Sequence, residues 1–260
     1  MTESTVTFWM ENTKFSILAG ESDGALRSTI AERVAAALRE RIIMAYPGFT
    51  PGTRLLPAQI AADLDVSMTP VKDALRMLAA DGLVELGARR GARVVHLEPE
   101  DLIDLLEVRF GIERLALEMA RQRGGLTPAA IAPLENSMAV CEAAMKRDDV
   151  MAYRQGDTDF HQALVDLSGS RHLRNTYRTI LAQAQIRHAY RPRSQQTMRD
   201  SLDEHKLLVS TLHASDGAAI RRSLVEHWQH SHERLLDWFR DRPDAEQLRA
   251  PLLLGDETCC

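Results

Sequence analysis

The stretch PGTRLLPAQIAADLDVSMTPVKDALRMLAADGLVELGARRGARV, residues 51–94, decides the fold of the first part of this chain. PAQIAADL reads as a short helix, Asp65-Val66-Ser67 as a turn, and the residues up to about Ala80 as a second helix. In that second helix Val71, Ala74, Leu75 and Leu78 fall at i, i+3, i+4 and i+7, an apolar stripe along one face. Ser67 or Thr69 can cap it, and Pro70 sits in the first turn, where its missing N–H is tolerated. After Asp81-Gly82, the runs LVEL and ARVVHL flank GARRG as the two strands of a hairpin. Upstream, Ile30, Val34, Leu38 and Ile42 recur every four residues as one more helix, which YPGFTPGTRL ends. Three helices followed by a β-hairpin make a winged helix-turn-helix, whose third helix enters the DNA major groove.

Charge supports that reading once it is divided. The 260 residues carry a formal charge of −5, which taken whole argues against a nucleic-acid coat. Residues 25–98, however, hold ten Lys/Arg against eight Asp/Glu, a net of +2, while residues 1–24 stand at −3 and residues 99–260 at −4. Thr69, Lys72 and Arg76 mark the exposed face of the third helix, and Arg89, Arg90 and Arg93 mark the hairpin.

From Glu98-Pro99 to about Arg242 the chain reads as helices, roughly 100–123, 127–147, 150–168, 171–190, 198–214 and 217–242. The expected fold class is mainly α: an N-terminal winged helix-turn-helix followed by an all-α antiparallel helical bundle. The boundaries are an extension over 1–24, the winged helix over 25–98, a helical domain over 99–243 and a tail over 244–260. No apolar run approaches the ~20 residues of a spanning helix, and the N-terminus lacks the charged start of a signal peptide. Cys141, Cys259 and Cys260 form neither a disulfide framework nor a metal motif. A soluble, cytoplasmic chain is expected.

The helical domain points several polar groups inward. Arg109 and Glu113 fall at the centre of an apolar face defined by Leu102, Leu105, Leu106, Ala116 and Ala120. Two readings stand for Arg109: an internal pair with Glu113 at i, i+4, or a cation aimed at an anionic ligand. Asp157 and His161, also four apart, share a face with Tyr153, Phe160 and Leu164. His205 lies among Met198, Leu208, Val209 and Leu212, and His227 near Ile220 and Leu224, with His230 as an alternative. One inward histidine is an ordinary core residue. Three on separate helices with an aspartate make an N3O donor set suited to zinc or a similar divalent ion.

Residues 51–94 resemble the DNA-binding domain of the GntR family of bacterial transcription regulators. The resemblance rests on Pro51-Gly52-Thr53-Arg54-Leu55, Val66-Ser67-x-Thr69-Pro70-Val71, Ala74-Leu75, Asp81-Gly82-Leu83-Val84 and Gly91. It implies DNA contacts by Arg54, Ser67, Met68, Thr69, Lys72, Arg76, Arg89, Arg90 and Gly91. Met68 and Lys72 stand where the family usually has arginine. Arginine reads guanine bidentately, worth ~1–3 kcal/mol per pair, which methionine cannot do and lysine does without the fork. DTDFHQALVDLSG, SLDEHKLLVSTLHASDGAA and SLVEHWQHSHERL resemble the FCD ligand domain of the FadR-type branch. That resemblance implies a divalent metal held by Asp157, His161, His205 and His227, with zinc favoured over nickel or manganese. It also implies a small carboxylic-acid effector met by Arg109, and a homodimer on a palindromic operator of double-stranded DNA. The expected function is thus a ligand-responsive transcriptional regulator and no enzyme. The alternatives are a metal-dependent hydrolase-like enzyme and a regulator whose metal only braces the fold.

Overall fold

The computed structural model describes residues 28–87, 91–190 and 194–240. The expected extension over 1–24, the tail over 244–260 with Cys259 and Cys260, and the wing residues Arg89 and Arg90 lie outside them. The described chain forms nine helices and three short strands, in two compact units. One unit takes the described residues up to Leu97 together with Ser170–Ser194. The other takes Glu98–Gly169 and the described residues from Gln195 onward.

The first unit opens with α1 (Ile30–Ile43), started by a reciprocal cap. The Thr29 hydroxyl accepts from the Glu32 N–H at 3.2 Å, and the Glu32 carboxylate accepts from the Thr29 N–H at 2.6 Å. Val34, Ala35, Leu38 and Ile42 bury one face of α1 against α3 (Met68–Ala80). Between them run β1 (Arg54–Leu55) and α2 (Pro57–Leu64), which ends at Asp65 in the left-handed conformation (φ 54°) and so makes the turn into α3. Gly82, at φ 72°, turns the chain out of α3 and sends Leu83 into the core.

The strands β2 (Val84–Gly87) and β3 (Gly91–Val94) pair antiparallel, Val84 opposite Val94 and Gly87 opposite Gly91. The hairpin is joined by a third strand that the sequence reading lacked. β1 pairs with the far edge of β3, Arg54 opposite Arg93 and Leu55 opposite Ala92, giving the order β1-β3-β2. A two-residue strand has no period to read, so only the partner reveals it. The helix α7 (Arg171–Tyr190) also belongs to this unit: Ile186 is fully buried in its core and Ala182 packs at the margin.

The second unit is a bundle of α4 (Pro99–Gln122), α5 (Pro128–Lys146), α6 (Val150–Asp166), α8 (Gln195–Ala214) and α9 (Gly217–Trp238). α5 lies against α6 and α8, α4 against α6 and α9, and α8 against α9. Leu117, Ile131, Leu134, Phe160, Leu164, Leu208, Leu212 and Leu224 form the main core. α5 and α6 approach so closely that a Cβ on Gly156 would stand 2.7 Å from Cys141 Sγ and 3.0 Å from Ser137 O. A larger residue there would force the helices apart. Among the described residues no helix is long and apolar enough to cross a membrane.

Candidate functional site

The bundle's polar interior is built from one turn of each of four helices. On α6, Tyr153, Phe160 and Leu164 set the buried face, and the 3.6-residue period carries Asp157 and His161 to the same side. His205 of α8 and His227 of α9 arrive in the same way from their own apolar stripes. The three imidazoles converge: one ring nitrogen of each lies within 4.8 Å of those of the other two. All three residues are 1–3% exposed. Asp157 is buried beside this group, outside the 4.8 Å span, and its carboxylate acts on both His161 and His205.

Each imidazole is held differently. His205 is oriented by packing, its ring stacked on Phe160 at 3.9 Å and 13°, and neither of its nitrogens has a hydrogen-bond partner. His227 meets Glu204 through Nδ1 at 2.7 Å, while its Nε2 has no hydrogen-bond partner. His161 has Glu113 Oε1 at 3.1 Å from Nδ1, and Arg109 Nη2 at 2.7 Å from Nε2 and 3.0 Å from Nδ1. Buried polar atoms are ordinarily satisfied, so unpartnered nitrogens on two converging imidazoles, His205 and His227, point to something they bind. Neutral imidazole is a donor suited to zinc and its neighbours in the first transition row. The residues fit a divalent metal.

Electrostatics favour the neutral ligand form. Burial, reinforced by the Arg109 charge and opposed by Glu113 and Asp157, pushes His161 down to about 4. Burial, with the neighbouring His227 and His161 next, sets His205 well below the ordinary histidine range. Unfolded, each would take up a proton near pH 6.5. Between there and about pH 4 the unfolded chain therefore binds more protons than the folded one, so stability rises with pH in that window. Chelator-treated protein is expected to lose on the order of 3 kcal/mol from His161 alone as pH falls from 6.5 to 4. Melting curves across that range measure this, and a flat midpoint between pH 6.5 and 5 would contradict it.

Arg109 and Glu113, one turn apart on the buried face of α4, form the internal pair that the spacing allowed, with Nε 2.9 Å from Oε1. Arg109 also reaches the imidazole group, through His161. His230 is 51% exposed and bonds Glu204 at 3.0 Å, outside the three-histidine group. Of the carboxylates near the site in sequence, Asp159 is exposed and accepts from Gln155, and Glu204 accepts from His227 and Arg234. Burial opposes ionisation of Glu204, but those hydrogen bonds and charges outweigh it and hold the carboxyl at about 2. It acts as a hydrogen-bond anchor for His227, a role that nothing in its spacing announced.

The second candidate surface lies on the winged helix. Ser67, Met68, Thr69, Lys72 and Arg76 are exposed along the N-terminal part of α3, as are Arg54 on β1 and Gly91 at the start of β3. Ser67 occupies the N-cap position of α3 but makes no capping hydrogen bond. Pro70, three residues on, lacks one of the two N–H groups that such a cap could use. Ser67 is exposed at this helix start, the kind of place where phosphate contacts are made. Arg76 pairs with Asp73 at 2.5 Å in an exposed contact, one that a phosphate could displace at little cost. Gly91, at φ 77°, lets the wing re-enter the sheet, where a Cβ would meet Leu55 O at 3.2 Å.

A winged helix with this exposed face, in one chain with a helical bundle that buries an imidazole group, defines a DNA-binding transcriptional regulator. Comparison with known proteins gives the family. The model for bacterial regulatory proteins of the gntR family matches residues 30–94, and that for the FCD domain matches residues 104–230. The chain is 30% identical over 197 residues to the Nta operon transcriptional regulator of Aminobacter aminovorans, covering 74% of this chain and 89% of that one. With the gluconate operon transcriptional repressor of Bacillus subtilis it shares 25% identity over 221 residues, 81% of this chain and 87% of the relative. Its fold is similar to that of E. coli McbR/YncC, at a TM-score of 0.68 and 21% identity, covering 82% of this chain and 99% of that one. The protein belongs to the gntR family of bacterial regulatory proteins and carries an FCD domain.

Proposed function

We propose that this regulator senses a small carboxylate at a divalent metal site in its helical domain and answers by changing its hold on an operator. The winged helix reads DNA and the bundle of α4, α5, α6, α8 and α9 is the sensor; of the span 99–243, α7 packs with the winged-helix unit instead. The observation that carries the reading is the convergence of His161, His205 and His227, three buried imidazoles of which two have nitrogens with no hydrogen-bond partner. His161, His205, His227 and Asp157 would hold the metal, with zinc first by donor type and nickel or manganese next. When bound, the metal supplies a Lewis-acid anchor for a carboxylate oxygen. Arg109 adds the charged hydrogen-bond donor that fixes the other end of such a group. One relative is named as the repressor of a gluconate operon, and gluconate is a carboxylate.

The effector acts only through unequal affinity for DNA-competent and incompetent arrangements of the protein. The active form is a cytoplasmic homodimer, whose two-fold symmetry is mirrored in a palindromic operator. A thermal-shift panel of organic, sugar and amino acids, run with and without zinc, tests the reading. Metal-dependent stabilisation by one carboxylate class is expected, since a ligand of the folded state raises stability by mass action. If zinc raises the melting point and every carboxylate leaves both it and operator affinity unchanged, the metal is a brace and the sensor reading fails.

On the DNA side, Met68 is 44% exposed at the first turn of α3 and cannot make the bidentate guanine contact of an arginine. A binding selection is expected to return a palindrome that departs from the usual family operator. The double substitution Met68→Arg, Lys72→Arg should move preference back toward it by roughly 5- to 150-fold per restored contact, at ~1–3 kcal/mol each. Recovery of the ordinary operator as the best site of the unsubstituted protein would overturn this.

A further inference from the structure

We propose that Glu204 is a positioning residue for the metal site, resting on the metal reading above: it fixes His227 in the tautomer that presents a bare Nε2 to the imidazole group. Glu204 is next to His205 in sequence, so one turn of α8 would supply a ligand and the support for another. Its carboxylate reaches α9, where Oε2 lies 2.7 Å from His227 Nδ1. An ionised carboxylate only accepts hydrogen bonds, so Nδ1 must carry the proton, and the neutral ring then has its lone pair on Nε2. That Nε2 is buried and has no hydrogen-bond partner. Orienting a ligating imidazole through its other nitrogen is the usual way a protein sets ligand geometry and basicity.

The carboxylate is itself held. Arg234 donates from Nη1 to Oε1 at 3.0 Å and from Nη2 to Oε2 at 3.2 Å, and Nη2 also reaches Ser231 Oγ at 3.1 Å. His230 Nδ1 lies 3.0 Å from Oε1. His227, His230, Ser231 and Arg234 fall at i, i+3, i+4 and i+7 on α9, so one stripe of that helix surrounds the carboxylate. The motif is therefore a carboxylate bridged at both oxygens by a guanidinium, with the buried imidazole of His227 sharing Oε2. In Glu204→Gln the shape survives, but one of the two oxygens that Arg234 holds becomes an NH2 group, so a single amide oxygen is left as the acceptor for Arg234, His227 and His230 together. The neutral amide no longer offers the His227 Nδ1–H an ionised acceptor, which loosens the hold on that tautomer.

Zinc affinity by competition with a chromophoric chelator, together with histidine nitrogen shifts in long-range proton–nitrogen spectra of the zinc-free protein, tests this. In the unsubstituted protein His227 is expected as the Nδ1–H tautomer. Glu204→Gln is expected to weaken zinc binding 10- to 100-fold, the range for loss of such outer partners, and to move His227 away from that tautomer. A purely structural role for Glu204 would move the melting point but not the tautomer. Should Glu204→Gln fail to fold, Arg234→Gln, at a more exposed position, carries the same two readouts with smaller changes. Equal zinc affinity and an unchanged tautomer in the variant would overturn the proposal while leaving the metal reading intact. Failure of the unsubstituted protein to bind zinc, nickel or manganese would overturn the metal reading and, with it, the positioning role.

Discussion

Replacing His205 by leucine is expected to abolish zinc binding while leaving the zinc-free protein as stable as before or slightly more so. The two halves of that expectation come from the same observation. His205 is 1% exposed, and both of its ring nitrogens lack hydrogen-bond partners. Burying a polar group in this way costs about 1–3 kcal/mol, and an apolar residue of similar size avoids that cost. Leucine keeps much of the packing against Phe160 and Leu208, which share the surrounding core. Zinc binding, in contrast, loses a ligand. Since loss of an outer partner already weakens metal sites 10- to 100-fold, loss of a direct ligand is expected to exceed about a hundredfold. A metal at a hundred times its Kd stabilises by about 2.7 kcal/mol, so the zinc-induced rise in melting point should vanish. Melting curves with and without zinc on both proteins decide it. If the leucine variant melts well below the zinc-free parent, His205 is a core histidine and the metal reading loses its best support.

Removing Arg109 alone is expected to cost about 3–5 kcal/mol, because it strands the Glu113 carboxylate in the bundle interior. Both side chains are buried, 2.9 Å apart, with His161 against them. Replacing the pair together is a different experiment. Arg109→Leu with Glu113→Leu removes the charge and the countercharge, and such double replacements are often neutral. Denaturant unfolding of the two singles and the double measures the coupling. A single Arg109→Leu variant within 1 kcal/mol of the parent would contradict the buried pair. The double variant is also the proper test of Arg109 as the effector's partner, since a collapsed bundle would lose every response for uninteresting reasons. It is expected to hold operator DNA within a few-fold of the parent and to give no carboxylate response.

How much of this was legible without the fold depends on how local each feature is. Helix periodicity places Val71, Ala74, Leu75 and Leu78 on one face from their spacing alone, and the same arithmetic stacks Asp157 under His161 and Arg109 beside Glu113. The α2–α3 turn is likewise short-range chemistry. Ser67 stands at the N-cap position of α3, as its residue type allows, but makes no capping bond, and the proline three residues on removes one of the N–H groups it could have used. β1 was invisible because two residues carry no pattern, and its existence depends wholly on β3.

The chain's amino acids thus determined the winged helix, the helical partner, the inward faces and the residue types that could hold a metal, since each follows from periods of a few residues. Tertiary structure decided what those faces meet. It brought three imidazoles from α6, α8 and α9 within 4.8 Å, gave Ile186 of α7 to the core of the winged-helix unit, and set Glu204 on His227 rather than in solvent. The physical reason is simple. A helix fixes the direction of a side chain about its own axis, but only packing against other helices fixes which atoms lie at the end of that direction.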